Sequence, residues 1–244
     1  MLNSLTIWMR QFAEDVTDRL RRLCARWIRK IAEVVIRDLE LMGALRDVTS
    51  SAEFARQHFR DVPEFKNRDQ LFRWALDQTP SAEGLFLEFG VYKGDSINRL
   101  AGLKPEITFY GFDSFVGLPE GWTLRAKTGA FDVQGVLPPV RNNVVLVKGF
   151  FEARLEDFLR AHPDRQISFL HIDCDLYSAT KTVFSRAEAR LARGAVVVFD
   201  EFFNYPGWKE HEYKAFMEFL VETNGNFEYI GYVRNGAQVA VKLL

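Results

Sequence analysis

The chain has 244 residues, of which 48% are hydrophobic and 14% aromatic, and this composition is sufficient for a large core that needs no disulfide bonds. Its 32 Lys and Arg residues nearly balance its 33 Asp and Glu residues, so the overall charge argues against a nucleic-acid partner. The two cysteines, Cys24 and Cys174, belong to no CxxC pair, which argues against a disulfide framework and a cysteine zinc site. Because we find neither a secretory signal nor an apolar stretch of about 18 residues, we expect a cytoplasmic protein.

The first predicted element is an amphipathic helix over residues 4–43. Apolar side chains recur in steps of three to five residues from Trp8 to Leu39, which is the spacing of one helical face. Its other face carries a basic run formed by Arg19, Arg21, Arg22, Arg26, Arg29 and Lys30. Such a helix would be about 60 Å long, more than a compact domain of this size covers. We therefore predict that it pairs with other copies of the chain in a homodimer or a higher homo-oligomer, with a membrane surface as the alternative.

Further helices are predicted at 51–60 and 68–78, and residues 1–80 are interpreted as one N-terminal helical extension. From Gly84 onward, short apolar segments alternate with helical ones, and this alternation is typical of a parallel doubly wound sheet. The predicted strands cover residues 85–89, 107–112, 144–147, 167–172 and 195–199. The predicted helices between and after them cover residues 95–103, 151–161, 176–192 and 208–223.

The C-terminal segments 227–232 and 238–242 are separated by the turn-forming pair Asn235-Gly236, which predicts an antiparallel hairpin. We therefore expect an α/β fold in residues 81–244. It is a Rossmann-like, doubly wound, mostly parallel seven-stranded sheet that ends in this hairpin.

The carboxyl ends of the strands predict where a ligand binds, since open parallel sheets bind ligands at that edge. The first strand ends at Glu88-Phe89-Gly90, and Gly94 follows, so two glycines allow a tight turn and a close approach to a ligand. An acid before the first glycine, with no third glycine, disfavours a dinucleotide pyrophosphate. It favours a cationic ligand such as S-adenosylmethionine.

The second and third strands end at residues suited to an adenosine. Asp113 closes the second strand, where a carboxylate accepts hydrogen bonds from two ribose hydroxyls, although a role in capping the turn at Ser114 is the alternative. Gly149 would give access to the adenine and Phe150 would cover its face, unless Phe150 is a core residue. The expected donor site comprises Glu88, Phe89, Gly90, Val91, Gly94, Ser96, Asp113, Ser114, Gly149, Phe150 and Asp173.

The fourth and fifth strands end in acids. Asp173 and Asp175 follow one strand, and Asp200 and Glu201 follow the next. Carboxylates gathered in one crevice raise one another's pKa unless a cation neutralises them, and magnesium would do so. The ion could lower the pKa of a substrate hydroxyl and so favour attack on a methyl sulfonium. Alternatively, Asp175 is a helix N-cap and Glu201 is a solvated loop residue.

Four motifs, in this order, resemble the macrocin O-methyltransferase family of class I S-adenosylmethionine-dependent methyltransferases. They are LEFGVYKGDS at 87–96, YGFDSFVGLP at 110–119, HIDCDLY at 171–177, and the acidic pair at 200–201. The resemblance implies S-adenosylmethionine as donor, S-adenosylhomocysteine as product, and a hydroxyl of a sugar or natural product as acceptor. It also implies magnesium held by Asp173, Asp200 and Glu201. The family more often has Asp at the last of these positions.

Proton removal from the acceptor is assigned to Asp173. His171 on the same strand is a second candidate, with a satisfied core histidine as its alternative. The long connection 121–143, which includes Trp122, is predicted to cover the acceptor, and His211 follows the fifth strand near such a lid.

Two other functions stay open. One is a nicotinamide-dependent oxidoreductase on the same architecture, which Glu88 and the missing third glycine disfavour. The other is a non-catalytic nucleoside-binding module whose helix binds a partner or a membrane.

Overall fold

The computed structural model describes residues 2–122 and 126–244, and the side chains of the first helix from residue 16 onward. The chain divides into two compact units, Met1–Arg46 and Asp47–Leu244. The first unit contains helix α1, Leu2–Arg37, and the start of helix α2, Leu39–His58. The predicted helix over residues 4–43 is therefore interrupted, and the segment predicted at 51–60 belongs to α2.

The interruption between α1 and α2 lies at Asp38. Its Oδ1 accepts a hydrogen bond from the backbone N–H of Leu41 at 3.0 Å, the interaction that starts a new helix. Neither Gly nor Pro occurs at this position, and the helical spacing of the apolar residues continues across it. The sequence alone therefore does not indicate the break. Gly43, where the first helix was expected to end, lies within α2.

The second unit begins at Asp47, within α2, and is built around one sheet. Its further helices are α3 Arg68–Asp77, α4 Asp95–Leu103, α5 Phe151–Ala161, α6 Tyr177–Ala187 and α7 Glu212–Thr223. Its strands are β1 Glu64–Phe65, β2 Leu85–Phe89, β3 Phe109–Asp113, β4 Val144–Lys148, β5 Ile167–Ile172, β6 Leu191–Phe199, β7 Phe227–Val233 and β8 Val239–Leu243.

The strand order is β1-β7-β8-β6-β5-β2-β3-β4. Among the described strands, β8 alone runs antiparallel to its neighbours β6 and β7, which confirms the mostly parallel sheet with an antiparallel C-terminal hairpin. The described part of the chain has eight strands where seven were predicted. The additional strand, β1, has only two residues, too few to show an alternating pattern.

Helices cover both faces of the sheet, as the doubly wound fold requires. On one face, α3 and α4 contribute Leu71, Phe72, Ile97 and Leu100 to a core cluster. On the other face, α5, α6 and α7 contribute side chains such as Phe184. Because α3 lies in this core, residues 47–80 fold with the sheet, and the boundary between the compact units precedes the predicted one at residue 80.

Among the described residues, no helix is both long enough and apolar enough to span a membrane.

Candidate functional site

The chain reverses its direction of winding between β2 and β5. It leaves β2 toward β3 and β4, then returns to pair β5 on the other side of β2. Backbone hydrogen bonds join the strand ends, because Asp173 N–H donates to Phe89 O at 2.9 Å and Gly90 N–H donates to Phe112 O at 3.0 Å. The carboxyl ends of these strands therefore form one edge, the place where open α/β sheets bind ligands.

A cavity of about 340 Å³ opens at this edge. Seven of the predicted donor-site residues line it, namely Gly90, Val91, Ser96, Asp113, Ser114, Phe150 and Asp173. The other four do not line it. Glu88 and Phe89 are fully buried, Gly149 follows β4, and Gly94 lines a neighbouring surface groove. The structure thus gathers most of the predicted donor residues around one cavity.

Asp113 uses its carboxylate to hold two loops. Oδ2 accepts the backbone N–H groups of Val91 at 2.9 Å and Tyr92 at 2.7 Å, and Oδ1 accepts that of Phe115 at 2.7 Å. The residue therefore fixes the turn after β2 as well as the turn after its own strand. The alternative role in turn capping is present, while ribose binding by the same carboxylate stays a prediction.

A chain of buried polar groups runs beneath the cavity. The Ser96 hydroxyl donates to Glu88 Oε1 at 2.9 Å, and His171 Nδ1 lies 2.9 Å from Glu88 Oε2. His171 Nε2 lies 3.9 Å from Asp200 Oδ1, beyond hydrogen-bond distance. Burial lowers the pKa of His171, but Asp200 and Glu88 raise it more, to about 10. The two neighbouring carboxylates thus favour the protonated form of the imidazole.

Arg68, at the start of α3, lies at the cavity wall and was not identified from the sequence. Its guanidinium donates to Asp200 Oδ1 at 3.2 Å and to Asp95 Oδ2 at 2.9 Å. The Asn67 side chain caps α3 by accepting the Gln70 N–H, and this cap places Arg68 in the first turn. A positive charge thus faces one of the acids that were expected to bind metal.

The acids after β5 and β6 do come together. Among the described residues, two groups have ligand atoms within 4.8 Å of one another and could hold a metal ion: His171 with Asp173 and Asp200, and Asp173 with Asp175 and Glu201. Burial, followed by the charge of Asp200, raises the pKa of Asp173 and Glu201 well above the ordinary values. Burial, then Asp200 and Asp113, raises the pKa of Asp175 to about 7.

Glu212, at the start of α7, is a further acid that sequence reasoning missed. It is fully buried, and its Oε2 accepts the backbone N–H of Glu201 at 3.2 Å. Its Oε1, Glu201 Oε2 and the Tyr205 hydroxyl are buried without hydrogen-bond partners in the described structure. Buried oxygens without donors fit a divalent cation, which prefers oxygen ligands.

The described part of the predicted lid lies at the cavity. Trp122 and Phe131 of the predicted segment 121–143 line it, as do Leu118 and Pro119 just before the segment, whereas residues 123–125 lie outside the described residues. The ring of His211 lies 6.3 Å from that of Trp122, so the residue after β6 does approach the lid.

Residues 87–202 match a family model described as a methyltransferase domain. The matched segment, just under half of the chain, is therefore similar to a methyltransferase domain. A solved calicheamicin methyltransferase, CalS11, is 25% identical with a TM-score of 0.55, and the match covers 71% of this chain and 76% of that one. The O-methyltransferase NovP, at 19% identity and a TM-score of 0.54, matches over 72% of this chain and 78% of its own, and it supports the fold. No curated protein matches the sequence.

The eight-stranded sheet, its flanking helices and the likeness to CalS11 confirm the expected Rossmann-like, doubly wound fold. The narrower assignment to the macrocin O-methyltransferases stays a prediction, as do the individual roles of the site residues.

The acidic cluster predicts how stability depends on pH when metal is absent. Asp175 has a folded-state pKa of about 7, above the ordinary 3.8, so between these values the folded chain binds more protons than the unfolded one. Its stabilising contribution is therefore present at low pH and is lost as the pH rises through about 7. In chelator, we expect the melting temperature to fall by about 4 °C between pH 5.5 and 8, and magnesium to reduce this fall.

Differential scanning calorimetry of the wild type and an Asp175→Asn variant checks this dependence. The variant removes the titrating carboxyl, so its melting temperature should change less over the same range. An equal fall in both proteins would place the titrating groups elsewhere.

Proposed function

We propose that the protein transfers the methyl group of S-adenosylmethionine to a hydroxyl of a small-molecule acceptor, a sugar or another natural product, with assistance from magnesium. The observation that carries the proposal is the group of acids on the wall of the same cavity as the glycine turn after β2. Asp173 follows β5 and lies beside Gly90, and Glu201 follows β6. Donor and acceptor chemistry would then meet at one edge of the sheet.

The donor would lie along the turn from Gly90 to Ser96, with its adenosine toward Asp113 and Phe150. All four residues line the cavity, and the carboxylates near it complement the positive sulfonium and ammonium groups. Glu88 would act from beneath, since it is fully buried and bound to Ser96 and His171. This arrangement favours a cationic amino-acid ligand over a nicotinamide dinucleotide.

A bound magnesium ion would lower the pKa of the acceptor hydroxyl. Asp173 is our choice for the group that accepts the proton, because its side chain lines the cavity in which the acceptor would bind. His171 does not line the cavity, so we assign it a positioning role in which its charge holds Glu88 and Asp200. Trp122 and Phe131 would exclude water from the cavity.

Isothermal titration with S-adenosylhomocysteine, with and without magnesium, tests the donor site. Micromolar binding is expected, followed by methyl transfer to members of a panel of glycosides and phenols. Absence of binding would overturn the proposal. Binding without transfer to any hydroxyl, amine or carboxylate acceptor would favour the passive nucleoside-binding module.

We further propose that α1 joins two copies of the chain. Its apolar stripe is exposed, and Trp27 and Ile31 are 67% and 59% accessible. A helix turns by about 100° per residue, so Ile36, itself 65% accessible, lies about 140° from Ile31 and off the stripe. Ile31 and Ile36 are therefore a suitable test position and control, since both are exposed and only Ile31 lies on the stripe.

An Ile31→Glu substitution is expected to shift the protein from dimer to monomer in light scattering after gel filtration, whereas Ile36→Glu leaves the mass unchanged. Binding of S-adenosylhomocysteine should persist in both variants. A wild type that is monomeric, or a dimer that survives Ile31→Glu, would contradict the pairing. Flotation of the wild type with anionic vesicles, lost in Ile31→Glu, would favour the membrane alternative.

A further inference from the structure

The two candidate metal groups share Asp173 and differ in their other members. The resemblance to macrocin O-methyltransferases implies Asp200 as a ligand together with Asp173 and Glu201. The geometry separates Asp200 from Glu201, because Asp200 groups with His171 while Glu201 groups with Asp175. The contacts that Asp200, Asp175 and Glu201 make indicate which of the two groups binds the metal.

Asp200 already has a positive partner. Its Oδ1 accepts a hydrogen bond from Arg68 at 3.2 Å and lies 3.9 Å from His171 Nε2. Its side chain is 11% exposed, and Asp200 is not among the residues that line the cavity. A divalent cation at this carboxylate would meet the guanidinium of Arg68, and like charges in a buried site repel strongly.

Asp173, Asp175 and Glu201 all line the cavity, and they offer ligand oxygens within 4.8 Å of one another. Asp175 is only 8% exposed, and no hydrogen bond or ion pair reaches its carboxylate from the described residues. Glu201 Oε2 is likewise buried without a partner. Buried carboxylates without donors are costly unless a cation compensates them.

We propose that a divalent cation binds Asp173, Asp175 and Glu201, and that Asp200 holds Arg68 at the cavity wall rather than binding metal. This inference rests on the proposed methyl transfer and changes the ligand set that the family resemblance implies. It also accounts for the glutamate at position 201, whose longer side chain suits a ligand set displaced toward Asp175. Glu212 supports it by accepting the backbone N–H of Glu201.

Binding of Mn²⁺ to the full chain tests the assignment, with free Mn²⁺ measured by electron paramagnetic resonance. Asp175→Asn should weaken binding by about tenfold or more, because asparagine keeps the shape and tolerates the φ of 62° but loses the charge. Asp200→Asn should bind within about threefold of the wild type. Asp95→Asn is the matched control, since Asp95 also binds Arg68 but belongs to neither metal group.

Unchanged Mn²⁺ affinity in Asp175→Asn would overturn the proposal, and so would loss of binding in a folded Asp200→Asn protein. If Asp200→Asn does not fold, the comparison between the wild type and Asp175→Asn decides alone. Titration of the same samples with S-adenosylhomocysteine distinguishes failure of the metal site from failure of the proposed function. A wild type that binds this product but no Mn²⁺ overturns the metal site only, whereas a wild type that binds neither overturns the proposed function as well.

Discussion

Replacing Gly90 by alanine is expected to weaken the binding of S-adenosylhomocysteine by about 100-fold. Gly90 has a φ of +93°, and a Cβ atom there would lie 1.7 Å from the backbone oxygen of Asp173. The clash involves backbone on both sides, and the hydrogen bond from Asp173 N–H to Phe89 O holds the strand ends together. Relief requires β2 and β5 to separate at the cavity. Strain of about 3 kcal/mol corresponds to a loss of about 100-fold in affinity.

The matched control is Gly129→Ala. Gly129 also has a positive φ, of +83°, but a Cβ atom there meets nothing within 4 Å. The control therefore introduces the unfavourable backbone angle without the clash. Titration calorimetry and thermal melting of both variants separate a loss of binding from a loss of folding. If the two variants bind the product equally well, the approach of Gly90 to Asp173 is not important for the site.

The parallel core of the sheet could be predicted closely from the sequence. The bounds of β2 and β5 agree with the predicted strands, and those of α4 and α5 agree with the predicted helices. These strands are buried along their whole length, so they appear as uninterrupted apolar runs between polar turns.

The predicted elements around β6 were less accurate. The helix predicted at 176–192 ends at Ala187, and β6 begins at Leu191 rather than at 195. Ala192 and Ala195 fit either a helix or a strand, so apolar spacing does not locate the change between the two elements.

Convergence of the acids could be predicted because the carboxyl ends of parallel strands meet at one edge. Their division into two groups could not, since it depends on Arg68, which lies 132 residues before Asp200 in the chain. Glu212 contacts Glu201 from a separate helix, and only the packing of α7 brings it there. Asp173 and Asp175 follow the end of β5, so the alternation of side chains along a strand does not tell which of them faces the cavity.

An Asp113→Ala variant is expected to bind S-adenosylhomocysteine at least about 100-fold more weakly than the wild type. The carboxylate accepts three backbone N–H groups, at Val91, Tyr92 and Phe115. Hydrogen bonds to a charged group contribute about 1.5 to 3 kcal/mol each, so their loss releases the turn after β2 that lines the cavity. Asp132→Ala is the matched control, because Asp132 also accepts a turn N–H, at 2.6 Å from Gln134, but does not line the cavity.

Weakened binding alone does not separate a loop-holding role of Asp113 from direct contact with the ribose. Titration with an analogue of S-adenosylhomocysteine that lacks the ribose 2′-hydroxyl makes this distinction. If Asp113 binds the ribose, the wild type should prefer the natural product by about tenfold, and Asp113→Asn should lose most of that preference. If the preference survives in Asp113→Asn, the carboxylate acts only through the two loops. Unchanged affinity in Asp113→Ala would exclude both roles, because neither the turn nor the ribose would then depend on this carboxylate.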